Sequence, residues 1–237
     1  GYLVRIKSDV VVLSDAKFID AAATPMAQRY SEYVKSHSGS LTPGDTTRPS
    51  ADSDADPAYF VLPVTDAALS LELLSALETA GARATFLFTE KQLADSGDLL
   101  RRIRVGGSAA ALRIDASGGS GRTISAIERA NDALWAACNR KTRLVVLEDA
   151  AEATVRAVQS AGYCPIVFDL DYSAGLPASV TRTGNAVLRA ARSGGCTVLL
   201  GSDAAMQADW SALLARAQAL SLPVAALNEL SARRSGA

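Results

Sequence analysis

Residues 58–237 are predicted to form one parallel α/β domain of seven strands, closed or nearly closed into a (β/α) barrel. Three observations predict it. From Tyr59 to Glu90 the chain runs strand, helix, strand within about 30 residues, the length of a crossover unit joining parallel strands. The same alternation then recurs to the end of the chain with no second change of composition. Of the 237 residues, 49% are apolar and only 21% charged, which is enough to bury a large core. The low aromatic share of 5% and the abundance of alanine suit helices lying close on a sheet.

The elements follow in order. Tyr59 to Leu62 is an apolar run closed by Pro63. Leu69, Leu73, Leu74 and Leu77 then recur at helical spacing, with Gly81 as the C-terminal stop. Ala84 to Phe88 reads as the second strand and Glu90 to Val105 as one helix, with Leu93, Leu99, Leu100 and Ile103 inward and Gly106-Gly107 ending it. Ala109 to Ile114 is the third strand. A glycine-rich loop, Ser117 to Gly121, leads into an amphipathic helix from Thr123 to Cys138. Leu144 to Leu147 is the fourth strand and Ala150 to Gly162 its helix. Ile166 to Phe168 is the fifth strand, and Asp169 to Pro177 reads as irregular. Then come a helix from Thr183 to Arg192, a sixth strand from Thr197 to Leu200, a helix from Trp210 to Leu220 and a seventh strand from Val224 to Leu227.

Ahead of this domain, Tyr2 to Leu13 alternates weakly and suggests two short strands or a hairpin. Residues 16–35 carry a helical pattern broken by Pro25, so residues 1–35 form a small strand and helix segment. Residues 36–57 are rich in Ser, Asp, Pro and Gly with almost nothing to bury, the composition of a disordered linker. The chain begins Gly-Tyr without an initiating methionine, the pattern of a protein trimmed after a leader or N-terminal anchor. An extracellular or surface-anchored location is the expectation.

The charge balance excludes one partner class. A net charge of −1 with no Lys/Arg-rich stripe does not suit nucleic acid. No apolar run is long enough to span a bilayer. Three cysteines without a CxxC motif write neither a disulfide framework nor a structural zinc site. Cys164 and Cys196 each precede an apolar run, so they would approach each other if those runs were neighbouring strands.

Candidate site residues come from a pattern at the strand ends. Each predicted strand is followed by acidic or polar side chains. These are Asp66, then Glu90, Asp115, Glu148 with Asp149, Asp169 with Asp171, Ser202 with Asp203, and Asn228 with Glu229. A parallel barrel gathers such positions at the carboxyl end of its sheet, where these folds place their sites. Asp, Ser and Asn are also the ordinary caps of the helices that follow, which accounts for any one of them alone. Together they make a negative rim able to hold a cation or a hydroxyl-rich ligand. Tyr172, in the loop after the fifth strand, is the candidate for stacking on a sugar ring. Trp135 and Trp210 fall on apolar helix faces and read as core. Gly118-Gly119-Ser120-Gly121 lacks nucleotide-loop spacing and reads as a flexible loop.

Several segments carry a family resemblance. LLSALETAGARATFLFTE followed by LLRRIRVGG, then ISAIERANDALW, AVQSAGYCPIVFDLDY and GGCTVLLGSD, together resemble the polysaccharide deacetylase (NodB-homology, carbohydrate esterase family 4) domain over about residues 59–230. The resemblance implies a deacetylase that uses one Asp as base, and another Asp with two His spaced H-x3-H to hold a metal that activates water. This chain departs from that pattern. The Asp-Asp place falls at about Pro63 and Val64, with Asp66 the nearest carboxylate. The H-x3-H place falls at Leu112 and Ala116, or at Arg113 and Ser117 one residue on. The late histidine place is Ser202, and the only histidine of the chain is His37. No two-imidazole metal site can form in this domain.

The expectation is therefore a degenerate deacetylase-like domain without a metal, binding a glycan or partner through Asp66, Arg113, Asp115, Glu148, Asp171, Tyr172, Ser202 and Asp203. Arg113, pointing into the acidic rim, would replace the lost metal charge with an internal salt bridge. The alternative is a carbohydrate-active hydrolase, cleaving C–N or glycosidic bonds with Asp66, Asp169 or Asp203 as catalytic carboxylates and, if any cofactor, a hard divalent cation on the rim acids.

Overall fold

The computed structural model describes residues 2–6, 9–13, 56–176, 179–201 and 204–234. The chain divides into two compact units, Gly1–Arg48 and Pro49–Ala237. In the first, strands β1 (Tyr2–Ile6) and β2 (Asp9–Leu13) pair antiparallel, the expected hairpin. The predicted helices of residues 16–35 and the linker as far as residue 55 lie outside the described residues.

The second unit holds a sheet of β3 (Ala58–Pro63), β4 (Thr85–Phe88), β5 (Ala109–Asp115), β6 (Leu144–Glu148), β7 (Cys164–Pro165), β8 (Leu170–Tyr172), β9 (Cys196–Leu200) and β10 (Val224–Ala225). Its helices are α1 (Ala67–Thr79), α2 (Glu90–Asp95), α3 (Gly97–Gly106), α4 (Ser120–Cys138), α5 (Glu152–Ser160), α6 (Val180–Ala191), α7 (Ala204–Ala219) and α8 (Glu229–Arg234). The strand order is β7-β6-β5-β4-β3-β9-β8, with β10 pairing β3 off this path. Every pairing in this sheet is parallel.

Chain connectivity shows why the sheet curls. β7 and β8 are its two edges, yet only residues 166–169 join them. A flat sheet of seven strands would set its edges about 29 Å apart, whereas the five steps from Pro165 to Leu170 span at most about 18 Å. The sheet must bend into a distorted barrel left open between its edges, as predicted.

The fifth strand is the main correction. Ile166–Phe168 is not a strand; pairing with β6 stops at Pro165, and the chain re-enters the sheet on the far side as β8, within the stretch predicted to be irregular. Pro165 has no N–H to donate and so suits an edge. Ile166 and Phe168 turn inward while Val167 is exposed, an alternation that mimics a strand in sequence. The predicted helix of Glu90 to Val105 is also divided. Buried Ser96, at φ −108° and ψ 24°, breaks it into α2 and α3.

Alternation sorts the strand residues into two cores. Phe60, Leu62, Phe86, Phe88, Leu112, Val145, Val198 and Leu200 face the helices and meet Leu73, Leu74, Leu77, Leu100, Ile127 and Leu134. Trp210, buried as expected, stacks tilted on Phe60 at 5.8 Å and donates its indole N–H to the Leu73 carbonyl at 3.2 Å. Trp135 departs from expectation, standing 53% exposed on α4. Val61, Leu87, Ala111, Leu144 and Cys164 face the concave side, where Leu227 and Ala232 complete a smaller cluster. The Leu227 N–H donates to Thr85 Oγ1 at 2.9 Å, so the C-terminal segment stops the barrel at the amino end of its strands.

Cys164 and Cys196, which would approach each other only on neighbouring strands, are separated by this sorting. Cys164 belongs to the concave cluster on one edge strand and Cys196 to the helix-facing core on β9. Both are free thiols.

Candidate functional site

The carboxyl ends of the strands form the mouth of the barrel. β5 and β6 bring three of the predicted residues there into one group, since their register sets Arg113 beside Val146 and Asp115 beside Glu148. Leu112 and Ile114 are buried under the helices, so alternation leaves Arg113 and Asp115 on the open face. Arg113 reaches across to the next strand, its Nε donating to Glu148 Oε1 at 2.7 Å and its Nη2 to the same oxygen. Of the two registers considered for the missing histidine pair, Arg113 and Ser117 is the one that faces the mouth.

Four of the predicted acids serve the backbone. Asp66 is the N-cap of α1, where its carboxylate accepts from the Leu69 N–H at 2.8 Å. Asp115 accepts from the Ser117 N–H at 2.9 Å, and the Ser117 hydroxyl and amide together hold its carboxyl below the ordinary value. Asp171 repeats the arrangement with Ser173, whose N–H lies 2.8 Å away and whose hydroxyl and amide likewise lower the carboxyl. Asp169 accepts from the Thr197 N–H at 2.7 Å while its own N–H donates to the Thr197 carbonyl at 2.9 Å, which clamps the start of β8 to β9.

Tyr172 lies in β8 rather than in a loop, and its half-buried ring packs on the helix-facing core. Burial, aided by the nearby Cys196, pushes its phenol above the ordinary value. Ser202 and Asp203 lie outside the described residues. Asn228 and Glu229 leave the rim altogether. β10 pairs the first residues of β3, and Glu229 meets Arg143, just before β6, at 3.3 Å, so both residues stand at the amino end of the sheet.

One residue of the mouth was missed. Arg122, in the first turn of α4, folds back over the glycine-rich loop, and a Cβ at Gly118 would lie 3.1 Å from its Cδ. It has no acidic partner among the described residues. α4 begins at Ser120, three residues earlier than predicted, which puts Arg122 at the helix start. A helix start with a free arginine beside a Gly-Gly pair was a readable signal.

No family model matches the chain, and no curated protein matches it by sequence. Solved structures do match. A family 4 carbohydrate esterase from Streptomyces lividans, in complex with acetate, superposes with a TM-score of 0.63 at 18% identity, over 74% of this chain and 94% of that one. The domain has the family 4 carbohydrate esterase fold. A peptidoglycan deacetylase from Bacillus subtilis, solved as a mutant, aligns with a TM-score of 0.63 at 10% identity over 80% of this chain and 94% of that one. A family 4 pseudoenzyme from Bacillus anthracis aligns at 0.62 and 14% over 78% and 66%.

Among the described residues, the donor set of this esterase-fold domain does not fit a transition metal. Among the described residues no three His, Cys, Asp or Glu side chains come close enough to hold an ion. At the place implied for the histidine pair stand a guanidinium, which cannot ligate, and a serine hydroxyl. Of the acids beside them, Asp115 accepts from the Ser117 N–H and Glu148, across on the next strand, is held by Arg113.

Proposed function

We propose that this domain is a noncatalytic member of the polysaccharide deacetylase fold, which binds a glycan or a partner at its carboxyl-end mouth and works outside the cytoplasm, in the cell envelope. The observation that carries the reading is the Arg113–Glu148 ion pair. It sets a permanent cation where the resemblance implies an imidazole, and it holds one of the rim's carboxylates. The fold accommodates such a role, since one of its solved examples is described as a pseudoenzyme. A hydroxyl-rich ligand suits the rim, because the exposed carboxylates of Asp115 and Asp171, each steadied through one oxygen by a serine N–H, can accept hydrogen bonds from sugar hydroxyls.

The test is an assay on chitin and peptidoglycan fragments with added Zn, Co or Mn, run beside a binding titration. Saturable binding with no acetate released is the expected result. Acetate release that Asp66→Asn abolishes would establish instead a hydrolase working through rim carboxylates.

A further inference from the structure

At the opposite, amino end of the sheet a cavity of about 240 Å³ opens between α3, α4 and the start of β5. We propose that it binds a small ligand through an oxyanion, of which a phosphate group is the best match. Its floor is apolar, from Leu100, Ile103 and Leu134, and its rim carries Arg104, Arg140 and Lys141, while no acidic residue lines it. Neither arginine has an acidic partner among the described residues, whereas Lys141 pairs with Asp132 at 2.7 Å.

Helix ends account for part of this charge. α3 and α4 both terminate here, each presenting about half a negative charge, and Arg104 Nη1 donates to the last carbonyl of α4, that of Cys138, at 3.2 Å. Three cations less Asp132, Glu128, whose charge also acts on Lys141, and about one charge for the two helix ends come to about zero, so it is the two arginines without acidic partners that an anion would meet. The hydroxyls lining the cavity add donors. Ser108 Oγ accepts from the Ala84 N–H at 3.3 Å and Thr142 Oγ1 from the Leu144 N–H at 3.2 Å, so the proton of each hydroxyl remains to be given. The wall is preorganised too. Buried Asn131 donates to the Thr142 carbonyl at 3.0 Å and accepts the Thr142 N–H at 2.8 Å, holding the loop that carries Arg140 and Lys141. Three cationic side chains and two hydroxyl donors around a site without a carboxylate complement an oxyanion. The volume leaves room for a small organic body over the apolar floor.

The experiment is amide NMR on the full chain, titrated at constant ionic strength with inorganic phosphate, glucose 1-phosphate and chloride. Saturable shifts at Ser108, Arg140, Lys141 and Thr142 with either phosphate are expected, and the tighter of the two names the source as free phosphate or a phosphate ester. Arg140→Ala should weaken the dissociation constant about tenfold, as the loss of a charged hydrogen bond does, with the rest of the spectrum intact. Exposed Arg182, on α6, serves as control, and Arg182→Ala should leave the constant unchanged. A linear response, equal for phosphate and chloride, overturns the proposal, as does an Arg140→Ala variant that still binds like the parent.

Discussion

Arg113 and Glu148 are each 41% exposed in their side chains, so water screens the pair and its worth to stability is about 1 kcal/mol or less. Arg113→Ala should therefore leave the urea midpoint nearly unchanged while altering glycan binding at the mouth, the pattern of a residue kept for its site rather than for the fold. Cys196 behaves in the opposite way. It is fully buried in the helix-facing core, and burial, with the charge of Asp169 adding to it, pushes its thiol from 9.0 up to about 12. Folding favours the neutral thiol. That contribution is complete below pH 9, and it is lost as the pH rises toward about 12. Denaturation midpoints should fall over that window, and Cys196→Ala should reduce the fall. At pH 8 a thiol reagent should find partly exposed Cys138 in the native protein, but Cys164 and Cys196 only after unfolding.

At the level of elements, the strand that sequence reading misplaced and the helix it did not foresee close the barrel together. Residues 166–169 tie the two sheet edges, and the C-terminal segment from β10 to α8 stops the amino end. Leu227, 3% exposed, is its main apolar contact with the concave cluster. Leu227→Ala should cost about 2–5 kcal/mol, read as a lower urea midpoint. Trp210→Ala should cost at least as much, about 3–5 kcal/mol, because it opens a void beside Phe60 and removes the indole's bond to the Leu73 carbonyl. On the helix face Gly184 has a packing role. A Cβ there would lie 2.7 Å from Arg216 Cγ, so a larger residue would force the Arg216 side chain or the two helices to shift.

Across the whole molecule, the two ends of the barrel are chemically distinct. The carboxyl end gathers Asp66, Asp115, Glu148 and Asp171 with Arg113 and Arg122, while the cavity at the amino end is ringed by Arg104, Arg140 and Lys141. The glycan assay and the phosphate titration therefore address separate faces, and Arg113→Ala should disturb only the first.

The fold was legible to a large extent because strand and helix periods differ, and each unit from Tyr59 to Leu147 repeats that contrast cleanly. Boundaries failed where side-chain alternation continued beyond the pairing, as at Ile166–Phe168, or where a cap sat inside an apolar period, as at Ser96. The candidate site was legible only in part. Acids at strand ends were readable, but their duties as helix cap, turn former and strand clamp depend on which N–H groups fold beside them. Asn228 and Glu229 show the limit most plainly, for they follow a strand as the rim acids do, yet stand at the opposite end.

The sequence by itself determined the parallel α/β class, the hydrophobic faces and the want of imidazoles beyond residue 37, because period and composition are local properties of the chain. Only the tertiary structure decided that Arg113 faces Glu148, that Cys164 and Cys196 lie in different cores, and that the last helix stops the barrel. Those outcomes depend on strand order and register, which arise from contacts between segments far apart in the chain and leave no local mark.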